Sequence, residues 1–282
     1  MDIARLIEMM QKDGKQRNYS PRTIDTYNHA LRKFFRIYSI DPRKIKKNDI
    51  ENYVDQMIKW NKSYNTINVH VSALKYFYEK VLKKRCTINI PIAKKTTRIP
   101  TYLEKDEIVS LINCISNKKH RLMVSLLYSS GMRVSELLNL KVKDLNFKQL
   151  QGWVREGKGR KDRPFIIAKS LFNELTEWGN KLGNNDYLFS NKDKPMSSST
   201  VRIILKKAAK KANIKKGVHP HTLRHSFATH LANNGYSASE IQPILGHKSI
   251  ETTLIYTHIA NLQLLNIKSP LDSLVLNENS TS

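Results

Sequence analysis

The stretch CTINIPIAKKTTRIPTYL, residues 86–103, constrains the fold more than any other, because it interrupts two long helical patterns. Pro91 and Pro100 each remove a backbone donor and disfavour helical geometry at the preceding residue. The β-branched residues between them favour extended backbone. No continuous helical core can run through such a segment, so the sequence predicts two bodies joined by a linker, assigned to residues 86–102. A chain of 282 residues is long enough for each body to bury its own core.

Ahead of the break, Ser20-Pro21 reads as a helix cap followed by proline at the first helical position. Ile24, Tyr27, Leu31, Phe34, Phe35 and Tyr38 follow at helical spacing. Segments 48–60 and 63–82, the latter capped by Ser63, repeat the pattern, and residues 2–12 add another helix. The expectation is a bundle of about four short helices over residues 1–85.

Behind the break a larger domain is expected over residues 103–260. LEKDEIVSLINCI and HRLMVSLLYSSGM read as helices, and further helices are expected at 170–182, 197–212, 222–233, 238–245 and 250–260. GWVREGKGRKDRPFIIA, residues 152–168, alternates in polarity around Gly157 and Gly159 and reads as a β-hairpin. The fold class is therefore mainly α with a small β element, an α+β domain behind a helical one. Residues 261–282 form a tail that carries no basic excess, with Lys268 set against Asp272 and Glu278.

Charge narrows the function. Lys and Arg number 49 against 24 Asp and Glu, a formal net charge of +25. Residues 1–100 hold 22 basic and 9 acidic side chains, so the excess belongs to both bodies and is not a basic tail. Such a field attracts polyanions, foremost nucleic acid. Lys94, Lys95 and Arg98 would let the linker lie along phosphates, and Arg160 and Lys161 would do the same at the hairpin. No apolar run approaches a membrane span and the N-terminus has no signal-peptide core, so no membrane role is expected. Cys86 and Cys114 lack a C-x-x-C arrangement and suit a reducing cytoplasm.

Four motifs could carry chemistry. SSGMRVSELLNL sets Arg133 after a glycine turn, at a helix start, with Glu136 three residues on; the pair could be a surface ion pair or a phosphate-binding fork. REGKGRKDR places Lys158 between two glycines at the hairpin tip, either a solvated turn or a side chain that enters a DNA groove. In HPHTLRHSFATHL, His221 and Arg224 share a helix face. His221 and His225 could instead form half of a zinc site, but Thr222 stands where the metalloprotease motif needs glutamate, and no metal is expected. In GHKSIETTLIYTH, a single helix would put His247 and Tyr256 on opposite faces. Gly246 and Ser249 supply a helix end and a new cap, so the chain can turn and bring the two together. The set holds no carboxylate cluster, which disfavours nucleases that hold divalent ions with several acidic ligands.

Together GMRVSELLNL, GKGRKDR, HTLRHSFATHLANNG and LGHKSIETTLIYTH resemble the tyrosine recombinases, in the family's order and with 23 residues between Arg224 and His247. The Xer-type recombinases, which resolve chromosome dimers, are the nearest likeness, with phage-type integrases next. The resemblance implies a two-domain, C-shaped clamp on DNA, made of a core-binding domain and a catalytic domain. It implies that Tyr256 attacks the scissile phosphate and forms a 3′-phosphotyrosyl bond. Arg133, Arg224 and His247 would stabilise the transition-state charge, His221 would help accept the phenolic proton, Lys158 would protonate the leaving 5′-oxygen, and Glu136 would buttress Arg133. Neither cofactor nor metal is implied. The implied partners are double-stranded DNA with a specific recombination site and three further protomers, identical or paralogous, joined through a Holliday junction. The tail would dock on a neighbouring protomer. A type IB topoisomerase shares this chemistry, and a DNA-binding module with a decayed site is the non-enzymatic alternative.

Overall fold

The computed structural model describes residues 3–85, 90, 100–155, 162–191, 194–247 and 249–263. It divides into two compact units, Met1–Thr97 and Arg98–Ser282.

The first unit holds helices α1 (Ile3–Gln16), α2 (Pro21–Ile37), α3 (Lys47–Lys59) and α4 (Tyr64–Lys75). The two serine caps form as expected: Ser20 Oγ accepts the Thr23 N–H at 3.1 Å and Ser63 Oγ accepts the Thr66 N–H at 3.3 Å. The helix expected over 63–82 changes character within its length, since α4 runs on into a π-helical segment, Tyr76–Val81. Leu31, Phe34, Tyr53, Phe77 and Tyr78 are fully buried and give this unit an aromatic core. Its one buried histidine, His70, is bonded through Nδ1 to the Tyr53 hydroxyl at 2.8 Å.

The second unit opens with α5 (Lys105–Asn113), α6 (Lys118–Ser130) and the short α7 (Val134–Asn139). An antiparallel sheet follows, ordered β1 (Leu145–Asn146), β2 (Gln151–Val154) and β3 (Arg163–Ile166). The expected hairpin is present, with Val154 opposite Arg163 as its last pair. The first strand is illegible in the sequence, because two residues carry no alternation, and the same holds for a second hairpin, β4 (Ser190–Asn191) and β5 (Lys194–Pro195). Helices α8 (Phe172–Gly179), α9 (Ser198–Lys211), α10 (Pro220–Asn233), α11 (Ala238–Leu245) and α12 (Glu251–Gln263) complete the unit.

Helix α10 positions the candidate site. Pro220 occupies its first turn and His219 caps it, Nδ1 accepting the Thr222 N–H at 3.1 Å. It is packed by α6, α11 and α12, so its polar residues Thr222, Arg224, Ser226, Thr229 and His230 are buried along with Leu223 and Ala228. A helix buried on this many sides is expected to be apolar all round. This one is not: Arg224, Ser226 and His230 Nδ1 find hydrogen-bond partners inside, while Thr229 Oγ1 and His230 Nε2 are buried without one.

Candidate active site

Two glycines in the left-handed conformation frame the site. Gly131 (φ +59) ends α6, and a side chain there would overlap the Phe227 ring. Gly246 (φ +62) ends α11 and lies against Arg163, whose Cδ and Nε would be 2.8 Å from an added Cβ. L-residues rarely adopt this conformation, so glycine is required at both turns for reasons of backbone as well as space.

Arg133 caps α7. Its backbone N–H donates to Glu136 Oε2 at 2.8 Å, Nη1 donates to Glu136 Oε1 at 2.7 Å, and Nη2 donates to the Gly246 carbonyl at 3.1 Å. Arg163, on β3, grips Glu136 from the other side: Nη2 donates to Oε2 at 2.6 Å and Nη1 to the Ile244 carbonyl at 2.5 Å. Arg224, 3% exposed, donates from Nη1 to the Gly131 carbonyl at 2.7 Å and from Nη2 to the Leu245 carbonyl at 2.6 Å. Both of these partners are carbonyls, so Arg224 is held in place without being neutralised.

Two guanidinium groups, those of Arg133 and Arg163, thus share one buried carboxylate, while Arg224 is held by carbonyls alone. Burial pushes the Glu136 carboxyl up, but Arg163, the Arg133 N–H and the Arg133 side chain outweigh it, and its pKa ends below the ordinary range. Burial, with Arg133 adding repulsion, brings the Arg224 pKa down to about 10, still far enough above neutrality to keep it charged. The site therefore carries an excess of positive charge that water cannot fully screen. An arrangement of this kind is built to receive an anion.

Tyr256 lies beside this cluster on α12. It is 2% exposed, and its hydroxyl is hydrogen-bonded to His225 Nδ1 at 2.8 Å. Burial raises its pKa while Arg224 pulls the other way. The turn at Gly246 does bring His247 to the tyrosine: the rings stack with centroids 6.2 Å apart, and His247 Nδ1 is bonded to Thr253 Oγ1 at 2.9 Å. Burial, then Arg224 and Arg133, lower the His247 pKa to about 4, and burial with His221 and Arg224 does the same for His225. His221 is more exposed, its ring 6.4 Å from that of His225.

The structure thus brings together Arg133, Glu136, Arg224, His225, His247 and Tyr256, with His221 at the edge. Lys158, Arg160 and Lys161 at the hairpin tip, and Lys94, Lys95 and Arg98 in the linker, lie outside the described residues. Most of the tail expected over 261–282 lies outside them too. Among the described residues, no group of three His, Cys, Asp or Glu side chains is placed to hold a metal ion, and no helix is long and apolar enough to cross a membrane. Sequence reasoning missed Arg163 and the contact of His225 with Tyr256. The signal for Arg163 was its place in RPFII, where it alternates with the buried Phe165 and Ile167; an arginine on the inward face of a strand is unusual enough to mark. By sequence pattern alone His225 stands out only as half of a zinc pair.

Comparison with known proteins gives this geometry its class. Residues 101–262 match the phage integrase family, and residues 6–88 match the SAM-like N-terminal domain of phage integrases. The chain belongs to the phage integrase family, the tyrosine recombinases, enzymes that cut and rejoin DNA in site-specific recombination. Tyrosine recombinase XerA of Pyrococcus furiosus is 39% identical over 261 residues, covering 89% of this chain and 86% of that protein. Tyrosine recombinase XerC of Staphylococcus epidermidis is 33% identical over 271 residues, covering 89% and 91%. Among solved structures, a XerA recombinase superposes with a TM-score of 0.55 at 34% identity, covering 94% of this chain and 98% of that one. XerH bound to its difH substrate after cleavage superposes with a TM-score of 0.74, covering 91% and 82%; at 24% identity it speaks for the fold.

Proposed function

We propose that the chain is a Xer-like recombinase in which Tyr256 cuts DNA and keeps the broken strand as a 3′-phosphotyrosyl ester. The observation that carries this reading is the buried hydroxyl of Tyr256 beside Arg224, which backbone carbonyls hold, and the pair Arg133 and Arg163, which share one carboxylate. A phosphodiester entering that cluster meets guanidinium donors already fixed by Glu136 and by backbone carbonyls. Their charge opposes the build-up of negative charge on the attacked phosphate, and they need no reorganisation as it develops. Arg133, Arg224 and His247 are assigned to the non-bridging oxygens, and Lys158 to protonation of the departing 5′-oxygen. Glu136 and Arg163 fix the cluster without contacting the phosphate. Removing a single donor of this kind commonly costs about 10²–10³ in rate.

The ester conserves the energy of the broken bond, so a 5′-hydroxyl from a second duplex can reverse the attack and join a new strand. In this reading four protomers on two sites exchange strands through a Holliday junction. Each protomer's helical N-terminal unit and basic linker grip the core of the site, and residues 261–282 dock on a neighbour. The likeness to XerA and XerC favours a dif-like site and the resolution of chromosome or plasmid dimers. The test is strand exchange between two duplexes carrying a site recovered by sequencing covalently trapped DNA, run with excess EDTA. Reciprocal recombinants are expected in the presence of chelator. Relaxation of supercoils by single protomers without exchange would show a topoisomerase instead, and loss of cleavage that magnesium restores would overturn the assignment of the cations.

A further inference from the structure

Three histidines surround Tyr256, and only one of them has a nitrogen on its hydroxyl. His225 Nδ1 lies 2.8 Å from Tyr256 Oη, with ring centroids 5.7 Å apart. His247 stacks on the phenol ring, but its Nδ1 is engaged by Thr253 Oγ1. His221, to which the family resemblance gave the proton, stands one helical turn before His225 on α10, with its ring 6.4 Å from the His225 ring. His225 therefore lies between His221 and the tyrosine. We propose that His225 is a catalytic residue: it takes the phenolic proton of Tyr256 when the strand is cut and returns it when the strand is rejoined. The proposal rests on the reading of Tyr256 as nucleophile.

The placement suits the task. A phenol ionises in water only near pH ~10, and burial of Tyr256 pushes it higher, so a proton acceptor in contact is needed for attack at neutral pH. His225 is neutral in the DNA-free protein, since burial and the neighbouring His221, Arg224 and His219 disfavour its charged form. With its ring proton on Nε2, Nδ1 offers a lone pair to the hydroxyl. A phosphodiester seated among the arginines adds negative charge next to the ring and raises its basicity at the moment a base is required. In the forward step the O–H bond breaks, its electron pair forms the bond from Oη to phosphorus, and the proton moves to Nδ1. The bond from phosphorus to the 5′-oxygen breaks with its pair on that oxygen, which takes a proton from Lys158 or water. Rejoining runs the same transfers backwards, and the imidazolium of His225 protonates the leaving phenolate.

The contact is also fixed by packing. Helices α10 and α12 pack closely against each other, and 31 residues of sequence separate the two partners. Loss of the imidazole could thus act through geometry alone, and the experiment must separate the two effects. His225→Asn keeps an acceptor near the position of Nδ1 but cannot carry a proton at neutral pH; His225→Gln is the second variant, should the first lower the melting temperature. Each is assayed in single-turnover cleavage of a nicked duplex carrying a site recovered from wild-type covalent complexes. Tyr256 is present either as tyrosine or as 2,3,5-trifluorotyrosine, whose phenol ionises near neutral pH.

Cleavage by His225→Asn is expected to fall by about 10²-fold or more, with DNA binding and melting temperature near wild type. Trifluorotyrosine is expected to restore at least about ten-fold of that loss while changing the wild-type rate little, because an ionised phenol needs no base. Equal losses with both phenols, or cutting by His225→Asn at the wild-type rate, would overturn the proposal. Wild-type protein that forms no adduct at Tyr256 would overturn the nucleophile reading and the proposal with it. A wild-type adduct at Tyr256 alongside a fully active His225→Asn would overturn the proposal alone.

Discussion

The two units treat buried polar groups in opposite ways. The first packs aromatic rings against one another, Phe34 against Tyr53 and Phe35 against Phe77, and its buried histidine, His70, is bonded to a neutral partner, Tyr53. The second buries Glu136, Arg163 and Arg224 within one neighbourhood and lets positive charge exceed negative. Replacing buried ion pairs with apolar side chains is often neutral or stabilising, so stability alone does not account for such a cluster. The difference teaches where this molecule accepts the larger desolvation cost: in the unit that carries the candidate active site, and less in the unit with the aromatic core.

The largest effect that would sharpen this contrast is expected from Glu136→Gln. It leaves Arg133 and Arg163 facing each other without their carboxylate and should destabilise the second unit by about 3–5 kcal/mol. Denaturant unfolding of the full chain, read by amide exchange peptide by peptide, assigns the loss to a unit. Gly131→Ala comes next, because it forces a side chain into the Phe227 ring at a left-handed position; about 1–3 kcal/mol is expected, again in the second unit. In the first unit, Tyr53→Phe removes one hydrogen bond to His70 and should cost about 1 kcal/mol. If Tyr53→Phe proved as costly as Glu136→Gln, charge would not be what distinguishes the two units.

The smallest difference is expected in mild acid. His225 and His247 in the second unit and His70 in the first all have pKa values lowered by burial to about 4. Their unfolded value is about 6.5, so between these limits the unfolded chain binds more protons. The stability these groups confer is complete above pH ~6.5 and drains away as pH falls towards 4. With two such histidines against one, and with burial lowering His120, His221 and His230 of the second unit as well, the second unit should lose exchange protection faster between pH 7.5 and 5.5. Equal slopes would show that the histidines by the tyrosine are better solvated than their burial indicates.

The contrast also explains what the sequence could reveal. Helices with a wet face and a dry face declare themselves by period and by caps such as Ser20 and Ser63, and the first unit is made almost wholly of them. The turn at Gly246 was legible because glycine adopts its left-handed backbone most readily, and it let His247 and Tyr256 be brought together. Helix α10 was harder, since burial on many sides erases amphipathic contrast, and its polar residues read as candidates without partners. The bonds of Arg224 to the Gly131 and Leu245 carbonyls span 93 and 21 residues and belong to packing between elements, which no local pattern encodes. Strand β1 is two residues long and leaves no trace in the pattern. Arg163 and the bond between His225 and Tyr256 stayed hidden for the same reason as the bonds of Arg224: each is defined by a partner far along the chain.

The central claim is that the buried tyrosine beside the arginine cluster becomes covalently attached to DNA, and mapping that attachment tests it most directly. Wild-type protein and Tyr256→Phe are each incubated with a nicked duplex bearing the recovered site, denatured, digested with protease and analysed by mass spectrometry. The variant loses one hydroxyl and keeps the basic surface, so it should bind the duplex as wild type does. A nucleotide adduct is expected on the peptide containing Tyr256 in the wild-type sample and none in the variant. A denaturation-resistant complex that survives Tyr256→Phe, or an adduct found on another residue, would contradict it.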